Sequence, residues 1–137
     1  MYERHITGSN GEDFATQFLL DYGYKICERN YRCKLGEIDI VALDKDEIVF
    51  VEVKTRTQSK FGMPADAVDG RKKNHIYRVA EYYVMVNQLE DKFMRFDVIE
   101  VYVDFSGKAR ISHIKNAIMD VPKFTKRDEY DLEEIEN

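Results

Sequence analysis

The sequence predicts an α/β protein in which a mixed β-sheet is flanked by helices. Three observations lead to this class. Apolar residues recur at helical spacing in two segments, near residues 11–22 and 71–86. Other segments are rich in valine and isoleucine, which favour strands, and are bounded by turn residues. The two kinds of segment are interleaved, so the predicted order is α-β-β-β-α-β-β.

The first helix is expected from about Gly11 to Tyr22, where Gly23 stops it. Strands follow at 24–31, 36–43 and 47–56, and the last two are joined by a tight turn that makes a hairpin. The ten residues before the helix are expected to be flexible. The apolar stripe of this helix consists of Phe14, Ala15, Phe18, Leu19 and Tyr22.

The second helix is predicted over residues 71–86, and strands are predicted at 94–105 and around 109–115. The helix has apolar residues at the spacing i, i+3, i+4, i+7 and i+8. We expect residues 1–119 to form a single domain, because no repeat or linker divides them, and residues 120–137 to form an acidic C-terminal tail. The apolar positions of the second helix are Ile76, Val79, Ala80, Tyr83 and Val84.

Length and composition exclude several protein classes. A chain of 137 residues with 44% hydrophobic and 34% charged residues is typical of a globular domain. No apolar run approaches the ~20 residues of a membrane span, and the N-terminus lacks the apolar stretch of a signal peptide. We therefore expect a cytoplasmic protein without a membrane partner. The two cysteines, Cys27 and Cys33, are separated by five residues, which is not a zinc-site spacing.

Acidic side chains and a lysine lie in the two most apolar strands. Glu37 and Asp39 are two residues apart in one strand, and Glu52, Lys54 and Arg56 alternate in the next. Residues two apart in a strand point to the same face. Charged groups are rarely buried unless they are paired or bind a metal. The pattern indicates a compact polar site on neighbouring core strands.

This combination suits metal-dependent phosphodiester hydrolysis. Asp39 and Glu52 would supply hard oxygen ligands for Mg²⁺ or Mn²⁺, and Lys54 would orient water or stabilise the transition state. Glu12, at the border of the first helix's apolar stripe, could reach the same site. The alternative is a simple cross-strand ion pair on a half-exposed sheet face, and spacing alone does not separate the two interpretations.

The distribution of charge allows a polyanionic partner despite a formal net charge of −5. Six acids and no base occupy residues 128–137, whereas residues 54–78 hold seven bases and two acids. Basic residues that open the second helix oppose its dipole, which favours an anion nearby. The alternative is a charged surface turn. The nucleic-acid-binding candidates are Arg32, Arg56, Lys60, Arg71, Lys72 and Lys73.

The three histidines lie in separate segments without ligand or triad spacing, so we expect His5, His75 and His113 to be surface or core residues.

A series of motifs resembles the YraN family of small endonuclease-like proteins. It begins with GEDFA at 11–15, NYR at 30–32 and GEID at 36–39, and continues with VFVEVKTR at 49–56 and RFDV at 95–98. The family belongs to the restriction-endonuclease-like PD-(D/E)xK superfamily and is related to archaeal Holliday-junction resolvases. The resemblance covers about residues 8–115, and it implies a restriction-endonuclease-like fold.

The same resemblance implies roles for individual residues. Asp39 and Glu52 would bind the metal, Lys54 would be the active-site lysine, and Glu12 would match the superfamily's first-helix glutamate. Lys73 and Tyr77 occupy the place of a Q-x-x-x-Y element, with lysine in place of glutamine. Ile38 stands where the superfamily has its leading proline. Glu37 and Tyr77 are further site candidates.

Three functions remain open at this point. The first is a metal-dependent DNA endonuclease acting on branched, recombination or single-stranded DNA, for which a two-fold homodimer would suit paired cuts. The second is a catalytically silent module that binds nucleic acid. The third is a docking subunit whose acidic tail contacts a basic protein partner, although that tail could also compete with DNA for the basic residues.

Overall fold

The computed structural model describes residues 2–5, 11–57, 70–104 and 106–117 of the chain, with backbone alone at 2–5, 57 and 70–74. The elements are β1 (Tyr2–His5), α1 (Gly11–Asp21), β2 (Lys25–Cys33), β3 (Gly36–Asp44), β4 (Glu47–Thr57), α2 (Gly70–Val86), β5 (Met94–Val103) and β6 (Lys108–Ile114). This is the predicted α/β order with one strand added at its start.

The six strands form one mixed sheet in the order β1-β6-β5-β4-β3-β2. Neighbouring strands are antiparallel except β4 and β5, which are parallel and are connected through α2. A parallel pair needs a long crossover, which here is provided by the helix. The mixed sheet predicted from the sequence is confirmed.

Strand β1 corrects, for residues 2–5, the expectation that the chain before the first helix is flexible. It pairs with β6 from Tyr2↔Ile111 to His5↔Lys108. The prediction failed because Tyr-Glu-Arg-His has no apolar alternation. An added edge strand is held chiefly by backbone hydrogen bonds, which leave little trace in the choice of side chains.

Each face of the sheet carries one helix and one apolar core. On one face α1 packs through Phe14, Phe18 and Leu19 against residues of β3, β4, β5 and β6. On the other face α2 packs through its buried apolar positions, all five of which were predicted. The chain is therefore a three-layer α/β/α domain in the part described. Neither described helix is long and apolar enough to cross a membrane.

Candidate active site at a fork between two strands

The central strands separate halfway along their length. The β3–β4 ladder runs from Asp44↔Glu47 to Ile40↔Val51 and ends there. Strand β4 continues beside β5 as far as Thr57↔Val103. Beyond residue 51, therefore, β4 is paired on one side by β5 while β3 diverges from it. A fork opens between the two strands that carry the predicted acidic residues.

Asp39 lies at this fork. Its Oδ2 atom accepts a hydrogen bond of 2.8 Å from the backbone N–H of Val53. A carboxylate from β3 thus accepts the backbone hydrogen bond for which β3 offers β4 no backbone acceptor at this position. Part of the Asp39 side chain remains exposed. The residue therefore has a structural role in the fork as well as a position suited to binding.

The strand is distorted at Asp39, which corrects the regular alternation predicted for this segment. Ile38 packs in the core on the α2 side, whereas Ile40 packs in the core on the α1 side. Asn30 of β2 stands between the pairs Arg29↔Ile40 and Tyr31↔Ile38 and has a left-handed φ of 53°. Because residues two apart normally share a face, the backbone must turn between 38 and 40.

A cavity of about 250 Å³ occupies the fork. Asp39 and Glu52 both line it, so the structure brings together the two acids that the sequence singled out. The Lys54 Nζ atom lies 3.7 Å from Glu52 Oε1, and the two side chains are 18% and 11% exposed. The separation is that of a loose ion pair, which agrees both with a metal-binding site and with a simple ion pair on the sheet.

Glu12 approaches the site from the first turn of α1. A Cβ atom on Gly11 would collide with the Thr55 side chain, so the helix begins directly against β4. The Glu12 side chain is 21% exposed, and its buried Oε1 atom lies 3.9 Å from Arg29 Nη2 but accepts no hydrogen bond from the described residues. Burial, and then the nearby charge of Asp39, raise the pKa of Glu12. Three carboxylates therefore share this region of the fold.

The other candidates are more scattered. Glu37 lines the fork cavity but is exposed, and it forms an ion pair of 3.1 Å with Arg32 at the rim. Tyr77 packs in the α2-side core, its ring 6.3 Å from that of Phe96, and does not line the cavity. The buried Nε of Arg56 has no acceptor among the residues described.

The remaining basic candidates lie in α2 and in the segment that precedes it. Lys60 and the acidic tail lie outside the described residues. Arg71, Lys72 and Lys73 lie in the first turns of α2, where the structure gives the backbone path.

The donor set at the fork is limited to carboxylates. In the part of the chain that the structure describes, no three side chains of His, Cys, Asp and Glu are grouped closely enough to enclose a metal ion. A site of two carboxylates that opens into a cavity is nevertheless compatible with Mg²⁺, which usually keeps several waters and uses one or two protein carboxylates. Asp39 and Glu52 could provide that pair.

A second charged cluster was not foreseen as a unit. Asp97 is 1% exposed and Arg95 is 8% exposed, both on the α1 face of β5. Arg95 Nε donates to both Asp97 oxygens at 3.0 and 3.2 Å, Nη1 reaches Asp44 and Glu47, and Nη2 reaches the hydroxyl of Tyr24. The guanidinium thus ties the β3–β4 hairpin to the middle of the sheet.

His113 completes this cluster from β6. Its Nε2 atom lies 2.8 Å from Asp97 Oδ2, and the Asn116 N–H donates to Asp97 Oδ1 at 3.1 Å. Burial alone would raise the pKa of Asp97, but hydrogen bonds from His113, Arg95 and Asn116 outweigh it and hold the pKa below its ordinary value. His113 is therefore a core histidine, one of the two environments expected.

The sequence contained a signal for this cluster. Arg95 and Asp97 break an apolar strand at a spacing of two, a pattern that usually marks the solvent face. Helix α1 covers that face, so the two charged residues form a buried ion pair instead.

Comparison with known proteins connects this architecture to a family. The profile of the group described as "Uncharacterised protein family UPF0102" matches residues 11–101. A UPF0102 protein of Caldicellulosiruptor saccharolyticus is 49% identical over 111 residues, covering 80% of this chain and 94% of that relative. A UPF0102 protein of Clostridioides difficile strain 630 is 51% identical over 110 residues, covering 80% and 94%.

Among solved structures, SfsA of Pyrococcus furiosus in complex with Ca²⁺ aligns with 76% of this chain and 60% of its own. The TM-score is 0.38 and the identity is 10%. A likeness of this size supports no statement about fold or function. The family match, in contrast, spans α1, the fork and most of β5, with high identity over most of both chains. The chain therefore belongs to the UPF0102 family, the YraN family that the order of its motifs predicted.

Proposed function

We propose that this protein is a metal-dependent endonuclease that hydrolyses phosphodiester bonds in DNA at the fork between β3 and β4. One observation carries the proposal: Asp39 and Glu52 line the same cavity, and Lys54 Nζ lies 3.7 Å from Glu52. Two acids and an ammonium group are the elements needed to hold a divalent cation and to stabilise a phosphate that gains negative charge.

The site is better suited to a ligand than to stabilising the fold alone. A pair of carboxylates that served only as an ion-pair partner would need no cavity beside it. Glu12 adds a third acid whose raised pKa reflects burial and repulsion by Asp39. Clustered acids of this kind mutually disfavour ionisation, and a cation removes that penalty.

Each charged residue at the fork would have its own role in the reaction. Asp39 and Glu52 would hold Mg²⁺ or Mn²⁺, which, when bound, neutralises phosphate charge and makes water more acidic. Lys54 would stabilise the charge that accumulates on the phosphate oxygens. A water molecule gives up a proton as its oxygen forms a new bond to phosphorus, the bond to the leaving sugar oxygen breaks, and that oxygen takes up a proton. Glu12, whose pKa is raised by burial and by the charge of Asp39, would be the group that exchanges a proton with the reacting water or the leaving oxygen.

The substrate backbone would follow the basic side of the fork. Arg32 is 72% exposed at the rim, and the basic first turns of α2 begin on the same face as Glu52. Phosphate contacts by such residues supply affinity that is independent of sequence and falls as salt rises. We therefore infer selection by DNA structure, with branched or single-stranded regions as the first substrates to test.

Cleavage of a labelled panel tests the proposal. Single strands, duplexes, flaps and four-way junctions are incubated with Mg²⁺ or Mn²⁺ and wild-type, Asp39→Asn or Lys54→Ala protein. We expect the wild type to cut at least one structure and both variants to lose about 10²-fold or more of the rate. Matched controls are Asp46→Asn and Lys92→Ala, which change exposed residues outside the cavity.

Two results would overturn the assignment. Cutting that persists in Asp39→Asn would show that the fork is not the active site. Salt-sensitive DNA binding by the wild type in the presence of a chelator, with no cleavage under either metal, would favour a catalytically silent binding module.

A further inference from the structure

A second cavity adjoins the fork. It measures about 370 Å³ and lies between the turn from β2 to β3 and the start of α2. It shares two lining residues, Glu37 and Ile76, with the cavity that contains the acids. A ligand that extended from the acids past these residues would therefore enter the second cavity directly.

One wall of this cavity is formed by a histidine ring that packs against the backbone of a glycine. Gly36 has φ 143° and no side chain, and a Cβ atom there would collide with Nε2 of His75. The ring of His75 therefore lies directly on the turn, although His75 as a whole is exposed. A glycine at this position makes room for the ring, and the turn limits where the ring can move.

The rest of the cavity combines a planar cation, an acceptor and an apolar floor. Arg32 and Glu37 stand at the rim with an ion pair of 3.1 Å, and both are more than half exposed. Ile76 is buried and Cys33 is half-buried, so the surface beneath them is largely apolar. Flat cationic and aromatic groups over an apolar floor suit a planar, partly polar ligand.

These features match the requirements of an unpaired nucleobase. Bases that leave a helix stack on histidine and other aromatic rings or on arginine planes, and polar side chains read their edges. A carboxylate such as Glu37 accepts from exocyclic amino groups, and a guanidinium donates to ring nitrogens and carbonyls. The volume lies in the range of small-ligand sites.

We propose that this cavity, defined by His75, Arg32, Glu37 and Gly36, binds one unpaired nucleobase next to the phosphate held at the fork. The inference rests on the proposed function and adds a substrate class to it. A strand whose base must occupy this cavity cannot be fully paired at that position. The preferred cut would therefore fall beside a flap, branch or single-stranded region, and continuous duplex would be a poor substrate.

The test measures binding without cleavage. Asp39→Asn protein in chelator is titrated with flap DNA in which 2-aminopurine replaces, one at a time, the unpaired bases nearest the branch. We expect the fluorescence of one position to change strongly on binding, as stacking alters it. An abasic residue at that position should weaken binding about 5-fold to 150-fold, which corresponds to ~1–3 kcal/mol for one stacked base.

Two variants locate the effect in the cavity. His75→Ala in the same background should lose the fluorescence change and bind abasic and intact flaps equally well. His75→Phe keeps an aromatic plane and should retain the preference for the intact base. Lys92→Ala, which removes an exposed charge elsewhere, should leave the preference unchanged.

The possible failures can be told apart. If intact and abasic flaps bind Asp39→Asn equally and no 2-aminopurine position responds, the nucleobase site is wrong, while cleavage by the wild type would still support the nuclease. If the wild type neither binds nor cuts any DNA of the panel, both proposals are wrong.

Discussion

Two groups of charged side chains lie on the central strands, and they are built in opposite ways. In the cluster of Arg95, Asp97 and His113, hydrogen bonds of 2.8–3.2 Å connect groups that are almost completely buried. At the fork, Glu52 and Lys54 are 3.7 Å apart, Glu12 Oε1 accepts no hydrogen bond from a described residue, and a cavity stands open beside Asp39.

The difference shows how similar residue types serve different purposes. Buried charges that satisfy one another stabilise a single arrangement, and losing one partner is costly. At the fork, the charge of Asp39 disfavours ionisation of Glu12, which reduces the stability of the ligand-free protein, while Asp39 and Glu52 line a cavity that a cation could enter. Substitutions in the first cluster should therefore lower chiefly the free energy of unfolding. Substitutions at the fork should weaken chiefly the binding of ligands.

The largest effect should come from Asp97→Asn. This change removes the charge that Arg95 and His113 face, and leaves the guanidinium buried with weakened partners. We expect the free energy of unfolding in urea to fall by about 3–5 kcal/mol. Asp91→Asn, at an exposed position, should change it by less than about 0.5 kcal/mol. Equal effects in the two variants would show that the buried cluster is not a stabilising unit.

Stabilisation of the protein by a divalent cation should distinguish the fork from the buried cluster. If Asp39 and Glu52 hold a divalent cation, Mg²⁺ or Mn²⁺ at one hundred times its Kd should stabilise the wild type by about 2.7 kcal/mol. Thermal unfolding with and without a chelator measures the gain. Glu52→Gln should abolish it, whereas Glu90→Gln at an exposed position should not. A gain that survives in Glu52→Gln would place the cation elsewhere.

Lowering the pH should remove the stabilisation that the Asp97 carboxylate gives to the folded protein. Because the pKa of Asp97 is lowered by folding, its stabilisation is complete above the unfolded pKa of about 4 and disappears as pH falls through the folded value. The difference in unfolding free energy between wild type and Asp97→Asn should therefore be constant near pH 7 and shrink below about pH 4. A difference that stayed constant into that range would contradict a lowered pKa.

The smallest effect concerns Glu12. Because burial and Asp39 raise its pKa, stability falls as pH rises from the unfolded pKa to the folded pKa, and the full cost of ionisation is present above the folded pKa. In metal-free buffer at pH 7, Glu12→Gln should stabilise the protein by less than about 1 kcal/mol. Loss of stability in the same urea titration would show that Glu12 is held by favourable contacts.

Much of the fold could be predicted because its strands and helices carry clear periodic patterns. The five apolar positions of α2 and the neighbouring strands of the hairpin followed from spacing and turn residues alone. Strand β1 could not be predicted, since it depends on backbone pairing at a sheet edge. The burial of Arg95 and Asp97 depends on which face α1 covers, and that is a tertiary property.

The site was partly predictable for a similar reason. Acids on adjacent apolar strands implied that Asp39 and Glu52 would be neighbours, and they line one cavity. The fork was not predictable, because the point at which β3 leaves β4 while β4 continues beside β5 is set by strand pairing in the folded sheet. The cavity beside His75 depends on a long-range contact with Gly36 that no spacing rule reveals.

The hydrogen bond from the Val53 amide to Asp39 gives the protein an internal spectroscopic probe. The proton and nitrogen resonances of an amide respond to the charge of the atom that accepts its hydrogen bond. A single cross-peak in an ¹⁵N-labelled sample should therefore report changes at the Asp39 carboxylate during titrations with acid, cation or oligonucleotide. Events at the fork could then be ordered in time and affinity without a label on the DNA and without any turnover.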